Sequence, residues 1–112
     1  MTRTQYNKLI RDLIPEIIAA DNCTAKISEL SGAQFSLALK QKVVEEAMEL
    51  LKAETRDDIL SEISDIQELI DTILSDKNIP KEELIISQDN KKNKRGSFDK
   101  KLFLEYIDSP DK

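Results

Sequence analysis

The chain predicts an all-α fold, and three observations carry the prediction. Among 112 residues there are only two Gly and three Pro, so few positions can interrupt a helix. Leu and Ile recur at i, i+3, i+4 spacing over long stretches. Hydrophobic residues make up 39% and charged residues 35%, the profile of an amphipathic helical domain expected to be soluble. The length suits one domain spanning residues 1–112, with no internal repeat or boundary. Aromatics are 4% with no Trp, so the core must be aliphatic and thin, and association with further copies would bury more area.

The elements follow in order. Residues 6–20 (YNKLIRDLIPEIIAA) carry Leu9, Ile10, Leu13, Ile14, Ile17 and Ile18 at helical spacing. They read as a short helix, or as two turns interrupted at Pro15, with Pro15 in the first turn of the helix proper. Residues 24–29 (TAKISE) read as a short strand, and Ser31-Gly32 as a turn. Long helices are expected over 34–54 and 58–76, separated by the polar break TRDD, where Thr55 or Asp57 caps the second. After the loop Lys77–Pro80, Pro80 opens a further helix to about residue 91. A basic stretch (KKNKRGSFDKK) follows, and then LFLEYI, whose weak alternation reads as a terminal strand.

The two long helices carry five carboxylates, Glu45, Glu46, Glu49, Glu62 and Asp65, in the pattern E-E-x-x-E, twelve residues, E-x-x-D. At about 100° per residue, Glu62 falls inside the stripe formed by Ile59, Ile66, Leu69 and Ile73, and Asp65 lies at its edge. On the preceding helix Val43, Val44, Ala47, Leu50 and Leu51 form the apolar arc; Glu46 borders it, and Glu45 and Glu49 lie further round. Antiparallel packing sets Glu46 and Glu49 opposite Glu62 and Asp65. Carboxylates so gathered repel one another unless a hard cation neutralises them. Either motif alone reads as a solvated helix face; for the joint pattern, the structural alternative is a buried Lys or Arg partner for Glu62.

The residues that are missing narrow the chemistry. There is no His, which removes the commonest general base and the Cys/His type of zinc site. An acid-only cluster suits Mg²⁺, Mn²⁺ or Ca²⁺, and the glycine-centred Ca²⁺ loop is not present. Cys23 is the single cysteine, so no intrachain disulfide forms; the chain fits a reducing cytoplasm, with Cys23 buried or half-buried. No apolar run reaches membrane-spanning length and no signal peptide opens the chain. A net charge of −5 argues against a stable nucleic-acid partner.

Charge is also distributed unevenly. Residues 42–65 hold eight acids and three bases, a balance of −5, whereas residues 89–101 hold six bases and two acids, a balance of +4. An acidic cradle and a basic arm suit a phosphate-rich ligand. A solubilising tail explains the arm equally well. Gly96, within KRGSF, lets the backbone approach a ligand closely.

At this point the residues resemble a known family. Glu45-Glu46-x-x-Glu49 with Glu62-x-x-Asp65 looks like the signature of the MazG-like and phosphoribosyl-ATP pyrophosphohydrolase-like superfamily of all-α nucleotide pyrophosphohydrolases. Tyr6 to Ile18 (YNKLIRDLIPEII) is similar to the opening of one MazG-like branch, often YNKLVRDKIPEII. Lys94-Arg95-Gly96-Ser97-Phe98 resembles its terminal KRGGF. The match runs from Tyr6 to about Leu104. Leu13 replaces a common Lys and Ser97 a common second Gly, and neither departure touches an acid.

The resemblance implies a four-helix-bundle enzyme that hydrolyses a nucleoside triphosphate to the monophosphate and pyrophosphate with Mg²⁺ or Mn²⁺. It further implies house-cleaning of modified or damaged nucleotides, and a homodimer or dimer of dimers. On this basis Glu46, Glu49, Glu62 and Asp65 are the expected metal ligands. Glu45 and Glu46 are the catalytic candidates, Glu45 as a further ligand or as acceptor of the water proton. Lys8, Arg11, Lys94 and Arg95 are the expected phosphate contacts, with Lys8 and Arg11 at i, i+3 on a helical face. A salt-bridging surface face explains that last pair equally well. Alternatives are an enzyme specific for phosphoribosyl-ATP, dUTP or dCTP, and a catalytically silent helical interaction module.

Overall fold

Pro15 decides where the first helix begins. In a computed structural model, which describes residues 2–111, α1 spans Ile14–Ala20 with Pro15 in its first turn. A helix running through from Tyr6 would need the N–H that Pro15 lacks and would press its ring on the Arg11 carbonyl. That carbonyl instead accepts from Ile14 N at 3.1 Å. Residues 6–13 are therefore not helical, and Lys8 and Arg11 share no helical face, contrary to the expectation from their spacing. Asn7, at φ 48°, turns the chain in a conformation that Asn tolerates well. At the other end, Asn22 at φ 59° closes α1, and Cys23 N donates to Ile18 O at 3.2 Å. Cys23 itself is exposed rather than buried, because it falls just past this helix end with no apolar face above it.

The expected turn at Ser31-Gly32 leads directly into α2, Gly32–Lys52, and α3 follows as Arg56–Asp76. Thr55 is the cap: its Oγ1 accepts from Asp58 N at 3.1 Å, while Asp57 and Asp58 place acidic charge in the first turn. The short link makes α2 and α3 an antiparallel pair, and they pack along their length. Ser36 Oγ donates to Asp76 Oδ2 at 2.7 Å, tying the start of α2 to the end of α3. Leu39 is the one side chain wholly enclosed among the described residues. Phe35, Val43, Leu50, Ile59, Ile66, Leu69 and Ile73 are half-buried along the same seam.

The apolar arc read on α2 divides in two. Val43 and Leu50 face the seam, whereas Val44 (63% exposed) and Leu51 (80% exposed) lie on the far side with Leu37 and Met48. Glu46 sits in the middle of the seam face rather than at its border, two helical turns from Leu39. Apolar residues on both sides of one helix blur the single stripe that periodicity seeks.

The chain divides into two compact units, the first ending at Ile79 and the second beginning at Pro80, where the sequence showed no boundary. The break falls where α3 ends and Pro80, without an N–H, caps the next helix. In the second unit α4 spans Lys81–Arg95, a full turn beyond the expected end. Its acidic first turn (Glu82, Glu83) and basic last turn (Lys92, Lys94, Arg95) complement the helix dipole, and Gly96 at φ 80° ends it. All four elements are helices. Neither TAKISE nor LFLEYI forms a strand among the described residues. A strand needs a neighbour to pair its backbone, and no element offers one.

Candidate functional site

The register that sets Ser36 against Asp76 also sets Glu46, ten residues further along α2, against Asp65, eleven residues back along α3. Both steps run about 15 Å along the helix axis. Glu62, one turn before Asp65, shares that level. Carboxylate oxygens of Glu46, Glu62 and Asp65 all lie within 4.8 Å of one another. All three residues are half-buried, because each occupies the seam face of its helix.

Glu62 is the anomaly of the cluster. Its Oε2 is shut off from solvent and has no hydrogen-bond donor. Its carboxyl is pushed up to about 7, most by the Glu46 carboxyl facing it, with desolvation and the charges of Glu46, Asp65 and Glu49 adding to this. Two facing carboxylates have only acceptor oxygens when ionised, so each favours the protonated form of the other.

The neighbouring acids are provided for differently. Lys42 Nζ, with its side chain only 17% exposed, lies 3.1 Å from Glu45 Oε1 and 3.7 Å from Glu46 Oε1. Lys8 Nζ reaches the same Glu45 oxygen at 3.5 Å and sits 5.7 Å from the centre of the Tyr6 ring. Desolvation alone would raise the Glu45 carboxyl; the hydrogen bond and charge of Lys42, joined by Lys8, overcome it and hold the group below its ordinary value. Arg11 Nη2 donates to Asp65 Oδ1 at 2.7 Å. Glu49 stands outside the mutual 4.8 Å group and is exposed; it acts on Glu62 through its charge.

The first unit thus brings together Glu45, Glu46, Glu62, Asp65, Lys8 and Arg11. Lys94 and Arg95 belong to the last turn of α4 in the second unit, where they line a shallow depression with Ile86, Asn90 and Lys91. Lys42 escaped the sequence reading as an individual residue. Its signal was available: it stands three and four residues before Glu45 and Glu46, the spacing at which helical side chains meet.

The residues fit a hard divalent cation. An ion with six oxygen ligands at about 2.1 Å spans up to about 4.2 Å between opposite ligands. Only one pair among three ligands can be opposite, and the other pairs stand about 3.0 Å apart, so the trio, within 4.8 Å, would need to draw in by up to about 2 Å. The ligand atoms are all carboxylate oxygens, as Mg²⁺ and Mn²⁺ prefer.

No family model matches the chain, and no solved structure matches it. An uncharacterized protein of Mycolicibacterium smegmatis is 46% identical over 50 residues, covering 45% of this chain and 51% of that protein. The chain therefore spans about half the length of the curated relative it matches. Among the described residues, no helix is long and apolar enough to cross a membrane.

Proposed function

We propose that the chain is a divalent-cation-dependent nucleoside triphosphate pyrophosphohydrolase of the MazG-like kind, releasing the nucleoside monophosphate and pyrophosphate. The observation that supports the reading best is Glu62 Oε2, enclosed without a donor and facing Glu46 and Asp65. A domain with a thin core gains no stability from such a group, and a bound cation would satisfy it. In this reading Glu46, Glu62 and Asp65 would hold Mg²⁺ or Mn²⁺, with Glu49 as a candidate further ligand. A cation held there would supply acidification of a water and positive charge beside the phosphoryl oxygens.

Water breaks the α–β anhydride bond, its oxygen stays on one phosphorus, and its proton passes to a carboxylate of this chain. Glu45, held ionised by Lys42 and Lys8, is a weak proton acceptor at neutral pH; its position suits anchoring these cations beside the cluster. Arg11 and Lys8 stand within reach of phosphates presented to the cluster. The KRGSF resemblance makes Lys94 and Arg95, in the second unit, candidate phosphate contacts. Substrates are expected among modified or damaged nucleotides, with phosphoribosyl-ATP, dUTP or dCTP as the specific alternatives.

We further propose that the protein acts as a homodimer or dimer of dimers in the cytoplasm. Leu37, Val44, Met48 and Leu51 of α2, with Leu60 and Ile63 of α3, leave apolar surface exposed on the hairpin. The exposed thiol of Cys23 suits a reducing compartment.

A second reading is favoured by Lys42, Lys8 and Arg11: with three cations on the acids, the cluster is a structural ion network in a catalytically silent helical module. Pyrophosphate release from a panel of ordinary and modified nucleoside triphosphates, with Mg²⁺ or Mn²⁺ and with chelator, separates the two. Metal-dependent release supports the enzyme. Silence across the panel, together with no metal effect on melting, supports the module.

A further inference from the structure

We propose that residues 6–13 form a cationic strap across the carboxylate cluster, in which Arg11 leaves Asp65 when a divalent cation enters and is then free to hold a phosphate. The inference rests on the reading of the cluster as a divalent-cation site.

Two cations of the strap reach the cluster from opposite sides. Lys8 pairs with Glu45 on α2 at 3.5 Å, and Arg11 with Asp65 on α3 at 2.7 Å. Between them the strap has no regular secondary structure, so no ladder of backbone hydrogen bonds opposes its movement. At its far end it is anchored where the Arg11 carbonyl accepts from Ile14 N and α1 begins.

Exposure separates the strap from the fixed counter-ion. The Lys8 and Arg11 side chains are 41% and 59% exposed, whereas Lys42 is 17% exposed and rooted in α2. Exposed pairs of this kind are worth about 0–1 kcal/mol each, so a divalent charge at Asp65 is enough to displace Arg11. A guanidinium presents a planar fork of donors that matches phosphate oxygens as well as carboxylate oxygens. The strap therefore screens the acids when the site is empty of cation and supplies positive charge to the substrate when it is filled. Asp65 is the shared residue of the exchange, since it belongs to both the Arg11 pair and the carboxylate trio.

The test is Mn²⁺ binding to the full chain, by calorimetric titration without substrate, for the wild type, Arg11→Gln and Arg11→Lys. Hydrogen exchange over residues 6–13 is followed before and after Mn²⁺, and again after inorganic triphosphate is added. The strap predicts that Arg11→Gln binds Mn²⁺ tighter by up to about fivefold, and that Arg11→Lys stays near the wild type. It also predicts that exchange over 6–13 rises with Mn²⁺ and falls once triphosphate joins. Equal Mn²⁺ affinity in all three proteins with unchanged exchange overturns the strap while leaving the cation site standing. No Mn²⁺ binding in any of the three overturns both.

Discussion

Arg11 and Asp65, fifty-four residues apart in the chain, meet at 2.7 Å and join the irregular N-terminal segment to α3. The pair matters because Asp65 also belongs to the trio with Glu46 and Glu62. One carboxylate thus links the irregular stretch before α1 to the seam of the helical hairpin.

Glu62→Gln removes a charge from the trio while keeping the shape of the side chain. Metal-dependent turnover is expected to fall by about a hundredfold or more, with the helical circular dichroism unchanged. Glu49→Gln is expected to weaken turnover less, since Glu49 stands outside the trio. Wild-type turnover in both variants would remove these acids from the mechanism.

Stability should depend on pH in a direction set by Glu62. Its folded-state value is raised to about 7 from 4.5, so its contribution is complete below the unfolded value and is lost as pH rises through about 7. With chelator present, the wild type should melt lower at about pH 8.5 than at about pH 6, and Glu62→Gln should flatten that fall. Glu45 works in the opposite sense: its lowered value adds stability above the ordinary carboxylate range, and acid removes it. Differential scanning fluorimetry across this range checks both signs. A wild-type curve flat on the alkaline side would contradict the enclosed position of Glu62.

Lys42→Met tests the fixed counter-ion. The Lys42 and Glu46 side chains are 17% and 13% exposed, so their pair lies between a surface and a buried bridge. Losing it should cost about 1–2 kcal/mol in urea denaturation without metal, and Mn²⁺ should recover part of the loss. An unchanged midpoint would show that Glu46 needs no cation.

Leu39→Ala should cost about 2–5 kcal/mol, a large share of the stability of a domain this size. Leu39 is the one side chain fully enclosed among the described residues, so no neighbour shares its role. Urea denaturation gives the value, and a loss below about 1 kcal/mol would place the core elsewhere.

Val44→Glu puts a charge in the exposed stripe of α2, where Val44 is 63% exposed. In an isolated chain the change should be nearly neutral for folding. In the proposed dimer it should separate the copies, halving the mass seen by sedimentation. A wild type that sediments as a monomer would remove the oligomer from the account.

Much of this architecture was legible beforehand, for identifiable reasons. Two long helices followed from sustained 3.6-residue periodicity, and the Thr55 cap and the Pro80 start from their local chemistry. The place of Glu62 inside an Ile-rich stripe followed from the same periodicity. Elsewhere local pattern was a poor guide. Pro15 in the first turn of α1 followed from its missing N–H, but the spacing of Lys8 and Arg11 suggested one helical face although both precede that helix. TAKISE and the weakly alternating LFLEYI read as strands, yet a strand exists only with a partner, which no local pattern reports. Arg11 on Asp65 joins distant segments, and only the folded chain reveals it.

The central claim is tested most directly by measuring pyrophosphate released from nucleoside triphosphates by the wild type and Glu62→Gln, with Mn²⁺ and with chelator. The account predicts pyrophosphate rather than single phosphate, dependent on Mn²⁺ and lost in the variant. Release that survives chelation, or that Glu62→Gln leaves intact, would contradict it.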